Sequence, residues 1–266
     1  LRNPTRAILA GLCLSVLCLG ALHAALIPRF LGLDEFSYYA TVKYYAAHHA
    51  MPVLGHPGVS YEAQMGPGYY VPTALIYRLF APLGGGTAFY AVRAFNVALL
   101  PVLTLLAFGL GRQIRPDDDF VALGAAVLVG LNPHLLALGG IAYNDLLSII
   151  LGMWAVYLFV TWFEQDRLGP GRGLVVGLVI ALAIITKPST LFIAAALPMA
   201  IIVLRHRAGL SSMVSIAIGV LIGSGWWFIR NLHLYGELGT RTGLARVHFP
   251  LARGSLNANQ VYSFAI

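Results

Sequence analysis

Apolar residues in this chain come in long blocks, broken by short polar stretches. Blocks at 7–27, 94–110, 120–138, 146–163 and 213–229 carry few or no charges. Each approaches or reaches the roughly 20 residues of helix needed to cross a bilayer. The block at 173–204 is too long for one crossing. As a single helix it would measure about 48 Å at 1.5 Å per residue, against a hydrocarbon core of about 30 Å. Lys187-Pro188 divides it near its centre, and proline disfavours helix for the residue before it. The pattern predicts two short spans meeting at Lys187, with a tip that stops below the outer surface. The expected fold is all-α: a polytopic membrane protein of about seven transmembrane helices, in one transmembrane domain over residues 1–266.

The polar stretches carry the rest of the organisation. The longest, 28–70, opens with the adjacent carboxylates Asp34-Glu35 and continues with Tyr38, Tyr39, Tyr44 and Tyr45 at helical spacing. Tyrosine suits a site with one apolar and one wet end, so the spacing predicts an amphipathic helix lying in the membrane interface. A second interfacial segment is expected at 69–81, and Gly84-Gly85-Gly86 reads as a linker, lacking the Lys-Ser/Thr of a phosphate loop. Residues 29–87 form an external loop in this reading, and 232–266 an external segment, read as truncated. Asp117, Asp118 and Asp119 suit the N-terminus of the third span. Arg2 and Arg6 before the first block, and basic pairs in the short loops, place the N-terminus in the cytoplasm. A cleaved signal peptide at Ala21-Leu22-His23-Ala24 is the competing reading of the first block.

Composition agrees with the blocks. The chain is 59% hydrophobic and 10% charged, where soluble domains carry about 25% charged residues. The net charge of +7 is spread in ones and twos at block ends, as headgroup anchors are, and does not point to nucleic acid. Cys13 and Cys18 lie about 140° apart around one helix and cannot bridge each other.

In this topology Asp34, Glu35, Arg93, Asn144, Asp145, Lys187 and Arg230 gather at the outer face. Charges near a membrane boundary are costly unless they pair or bind something. Carboxylates facing cations suit a site that takes a proton from an acceptor hydroxyl while Arg and Lys stabilise a departing phosphate. Each residue also has a plainer reading. Asp34-Glu35 could be a solvated cap, Asp145 an N-cap, and Arg93, Lys187 and Arg230 snorkelling anchors. His48, His49 and His56 lack a clear ligand spacing, so no metal and no cofactor is expected. No nucleophile elbow, zinc-protease motif or dinucleotide fingerprint is present.

Several passages resemble the GT-C superfamily of polytopic glycosyltransferases, close to the protein O-mannosyltransferases and aminoarabinose transferases. Leu33-Asp34-Glu35 with Tyr38-Tyr39 resembles the acidic motif of their first external loop, and Ala91-Val92-Arg93-Ala94-Phe95-Asn96 their arginine at the start of the second span. Asn132-Pro133 through Asn144-Asp145 resembles the hairpin between the third and fourth spans, and Thr186-Lys187-Pro188 the break between the fifth and sixth. Gly225-Trp226-Trp227-Phe228-Ile229-Arg230-Asn231 with Tyr235-Gly236 is similar to bacterial members. The resemblance implies transfer of a sugar from a polyprenyl-phosphate donor to an acceptor hydroxyl, with inversion, at the external face of a bacterial inner membrane. It implies Asp34 as catalytic base assisted by Glu35, the donor phosphate on Arg93, Lys187 and Arg230, and substrate contacts from Tyr38, Asn144 and Asp145. Some relatives place a lysine just before the proline of the second interfacial segment, where this chain has Gly66. A transporter or flippase, and a non-catalytic membrane scaffold, are the alternatives. A transporter should show paired half-sequences with matching breaks, and only the break at Lys187-Pro188 is evident.

Overall fold

The computed structural model describes residues 3–32, 34–204 and 209–247, and these are helical, with no strand among them. Leu33, His206 with its flanking arginines, Arg2 and the tail from residue 248 lie outside the described residues. All seven expected segments are helical, but they are of three kinds. Four helices are long and apolar enough to cross a membrane: α1 (Asn3–Leu26), α4 (Gly85–Ile114), α7 (Asp145–Glu164) and α10 (Gly209–Tyr235).

The third segment is bent. It consists of α5 (Asp119–Gly130) and α6 (Pro133–Gly139), which meet at 57°. Asn132 causes the bend: its side chain accepts from the backbone N–H of His134 (3.0 Å) and Leu135 (3.2 Å), starting a new helix with Pro133 in its first turn. At the other end Asp118 caps α5 through Phe120 N–H (2.9 Å), and Asp119 pairs with Arg112. The acidic triplet is therefore a cap.

The fifth and sixth segments are the expected short pair, α8 (Pro170–Thr186) and α9 (Phe192–Val203). Lys187 between them is extended (φ −150°, ψ 113°), followed by a 3-10 turn at Pro188–Leu191. α8 packs hard against α10. Gly219 lies so close that a Cβ there would stand 2.6 Å from the Leu174 carbonyl oxygen and 2.9 Å from the Gly177 Cα. Small residues let membrane helices approach this closely.

Two expectations about the first loop are corrected. It forms α2 (Glu35–His48), a 3-10 turn at Tyr61–Gln64, and α3 (Pro67–Phe80). Tyr38, Tyr39 and Tyr45 of α2 face protein and not a boundary between lipid and water: they are buried with Tyr69, Tyr70 and Phe89 in one aromatic core between α2, α3 and α4. Ring pairs such as Tyr38–Tyr143 (centroids 4.4 Å apart) and Tyr45–Tyr70 (5.5 Å) hold that core together. The glycine triplet is not a linker either. Gly84 (φ 109°) makes the turn and Gly85-Gly86 begin α4. Arg93 therefore sits about two turns inside α4 and not at its start. A short α11 (Arg241–Arg246) follows α10 and packs near Tyr235.

Candidate functional site

The site is built around a buried ion pair. Arg93 and Glu35 are both fully buried, 2.7 Å apart. Arg93 Nε donates to Glu35 Oε1 (2.8 Å) and Nη2 to Glu35 Oε2 (2.7 Å) and to the Pro28 carbonyl (3.1 Å). Its Nη1 donates to the carbonyls of Ala24 and Ile27, each at 2.7 Å. A guanidinium has five N–H donors, and all five are taken. Glu35 is equally occupied, since it also accepts from Phe30 N–H (3.1 Å) and Ala142 N–H (2.8 Å). Arg93, which the resemblance implies as a donor-phosphate ligand, has no free donor and no exposed surface in this geometry. Glu35 likewise has no free oxygen for an acceptor. The pair instead ties together the end of α1, the start of α2, α4 and the turn before α7.

Asn96, one turn further along α4, holds the same turn by donating to the carbonyls of Ile141 (2.6 Å) and Tyr143 (2.8 Å). This fixes where α7 begins. Asn144 then donates to the Thr186 carbonyl (2.8 Å) at the end of α8, with its Oδ1 buried and unpartnered. Asp145, the first residue of α7, pairs with Lys187. Its expected role as a plain cap gives way to this pairing across the helix break. The two side chains are only partly covered, 24% and 21% exposed for Lys187 and Asp145. Lys187 Nζ also stands 5.6 Å from the centre of the Tyr143 ring.

Asp34 approaches from the other side. It occupies the N-cap position of α2 in a left-handed conformation (φ 54°, ψ 7°) and makes no side-chain cap bond. An aspartate at that position ordinarily caps its helix. Here the backbone turns the carboxylate away, and it accepts from the Tyr61 hydroxyl while remaining exposed. Asp34 tolerates this backbone as few residues other than glycine and asparagine do.

Glu62, beside Tyr61, was not among the residues expected from sequence. It is 4% exposed and its Oε2 has no partner. Burial, chiefly, pushes its carboxyl up from 4.5 to about 7; a hydrogen bond from Tyr38 and the charge of Lys187 oppose the shift, and Asp34 and Asp145 add to it. Four charged groups from distant parts of the chain thus feel one another: Asp34, Glu62, Asp145 and Lys187. Tyr38 supports the group from within the aromatic core, with burial pushing its hydroxyl pKa up. The only sequence mark of Glu62 is a carboxylate placed just before Gly66-Pro67 in an aromatic stretch.

Gly66 and Gly68 explain the missing lysine. A Cβ on Gly66 would collide with the Ile185 carbonyl oxygen, and one on Gly68 with Thr186. The start of α3 lies directly on the backbone at the end of α8, so no side chain fits there.

Lys187 borders two cavities. One, about 450 Å³, runs between α7 and α9 and is walled by Ile149, Met153, Val156, Phe192 and Ile193, with Asp145 and Lys187 at its head. The other, about 210 Å³, lies between Lys187, the Tyr61–Gln64 turn and the end of α10. Arg230 reaches neither. Its Nη2 donates to the Pro52 carbonyl (2.7 Å) and its guanidinium lies 5.1 Å from the Trp227 ring centre, leaving Nη1 buried without a partner. The histidines are dispersed: His48 stacks on Tyr44 (4.1 Å), and His49 meets Arg78 (3.1 Å). Among the described residues no three His, Cys, Asp or Glu cluster in a way that could hold a metal ion.

The family model for dolichyl-phosphate-mannose-protein mannosyltransferases matches residues 29–236, which contain Asp34, Glu35, Glu62, Arg93, Asp145 and Lys187. The chain belongs to that family. No curated protein matches it significantly. As a member of this GT-C family it is a multi-pass membrane glycosyltransferase, in a family whose donors are polyprenyl-phosphate-linked sugars. Membership favours the enzyme over the transporter alternative.

Proposed function

We propose that this mannosyltransferase-family member moves a glycosyl group from a polyprenyl-phosphate donor to an acceptor hydroxyl of a protein, lipid or glycan. The observation that carries the reading is Lys187, a cation at the head of an apolar cavity with carboxylates beside it. The prenyl chain lies in the cavity between α7 and α9, whose lining is apolar along the membrane-spanning helix α7. The phosphate meets Lys187, whose ammonium has three donors, of which Asp145 engages one.

Asp34 is the general base. It takes the proton from the acceptor hydroxyl as that oxygen attacks the anomeric carbon. The bond from that carbon to the phosphate oxygen breaks, and its electron pair leaves with the phosphate, which Lys187 stabilises. Attack opposite the leaving phosphate inverts the anomeric centre. Glu35 and Arg93 act as positioning residues, holding the start of α2 against the turn at 141–143. The protein works in a bacterial inner membrane, as the resemblance implies; this face is outward, since Arg112, Arg115 and Arg167 lie near the opposite ends of α4 and α7.

The test uses purified protein, polyprenyl-phosphate mannose and an acceptor, and follows release of the bare lipid phosphate. Asp34→Asn should lower turnover by about 10²–10⁴-fold while leaving donor binding and folding intact. Asparagine accepts the same left-handed backbone, so a folding defect is not expected. Unchanged turnover would remove Asp34 from the mechanism.

A further inference from the structure

We infer that the smaller cavity at Lys187 is the glycosyl subsite, where Asn231, Thr240 and Gln64 hold the hydroxyls of the donor sugar against the wall made by Trp227. The inference rests on the donor reading above and names which residues select the sugar.

The order of groups in the donor is lipid, phosphate, sugar, and the order of features along the site matches it. Lys187 lines both cavities. With the prenyl chain in the apolar one, the group on the far side of the phosphate falls in the other. At about 210 Å³ that second cavity suits a single sugar ring and is too small for a long prenyl chain. Its lining has the chemistry of carbohydrate recognition, with an indole and amide and hydroxyl side chains: Gln64, Ser189, Trp227, Asn231 and Thr240.

Asn231 supplies an independent sign. It is 2% exposed, and its Nδ2 donates to the Leu238 carbonyl (3.3 Å), which folds the chain after α10 back over the cavity. Its Oδ1 is buried with no partner. A buried acceptor without a donor is unfavourable and uncommon, and a sugar hydroxyl entering the cavity is the donor it lacks. The cavity is also tied to the base. Gln64 ends the 3-10 turn whose first residue, Tyr61, is hydrogen-bonded to Asp34. Trp227 and Asn231 are one helical turn apart on α10 and face the same side.

The experiment measures binding of two lipids, polyprenyl phosphate and polyprenyl-phosphate mannose, to the detergent-purified wild type and to Asn231→Leu and Thr240→Val. Each variant should weaken binding of the mannosyl lipid by about ten-fold or more, while bare polyprenyl phosphate stays within roughly two-fold of wild type. Asn231→Leu also removes the bond to Leu238 and could disturb folding; Thr240→Val keeps its shape and decides the matter in that case. Equal losses for both lipids, or no loss for either, overturn the assignment while leaving the donor reading standing. Wild-type protein that binds neither lipid overturns both.

Discussion

Replacing Arg93 with methionine separates a structural role from a phosphate-binding one. The substitution keeps much of the side-chain length but removes five hydrogen-bond donors and the positive charge. Glu35 would keep only the N–H groups of Phe30 and Ala142, at 3.1 and 2.8 Å, and remain fully buried. Removing one partner of a buried pair costs about 3–5 kcal/mol, because the other charge is left uncompensated. Total stabilities are about 5–15 kcal/mol, so the effect is a large fraction of the whole. Glu35→Gln should cost a similar amount. It places an amide NH₂ where an oxygen now accepts two N–H groups, and leaves the guanidinium unpaired. The double substitution should be much less damaging than the sum of the two, since neither charge is then stranded. Thermal and denaturant unfolding of the detergent-solubilised variants measures all three. An Arg93→Met protein that unfolds like wild type but binds polyprenyl phosphate more than about ten-fold more weakly would refute this account, and would make Arg93 a phosphate ligand.

Lys187→Met should weaken binding of bare polyprenyl phosphate by about 10- to 100-fold, as loss of a charge-assisted hydrogen bond does; unchanged affinity would remove Lys187 from the donor site. Gly68→Ala should drive a methyl group into Thr186, lower stability by about 1–3 kcal/mol and reduce transfer, both read on the same preparation. Glu62 gives a pH dependence whose sign follows from burial. Its folded pKa of about 7 lies above the ordinary 4.5, so the native state binds more protons than the unfolded chain between those values. Stability from this group should therefore be fullest below about pH 4.5 and decline as pH rises through about 7, by up to roughly 3 kcal/mol in total. Glu62→Gln should flatten that slope in unfolding curves taken across the range.

Sequence alone determined the membrane class, the helical segments and the break at Lys187, because these depend on properties local to the chain. Uncharged length decides what can span a bilayer, and a proline at 188 disfavours helix for the residue before it, in a block too long to cross as one helix. Asp34, Asp145 and Lys187 were also legible, as charges with no business at a membrane boundary unless partnered. Partnership itself was not legible. Arg93 and Arg230 look alike in one dimension, each a lone cation at the end of an apolar block, and Lys187 is a lone cation at a break within one. Only the packed helices show that Arg93 is closed in by Glu35 and three carbonyls, Arg230 is drawn to Pro52, and Lys187 alone of the three borders the cavities. Glu62 stayed hidden for the same reason, since no periodicity marks it and it is buried where its turn packs against α2 and α11. Which polar group is left with something to bind is decided by the distances between segments far apart in the chain, and those distances exist only once the helices have packed.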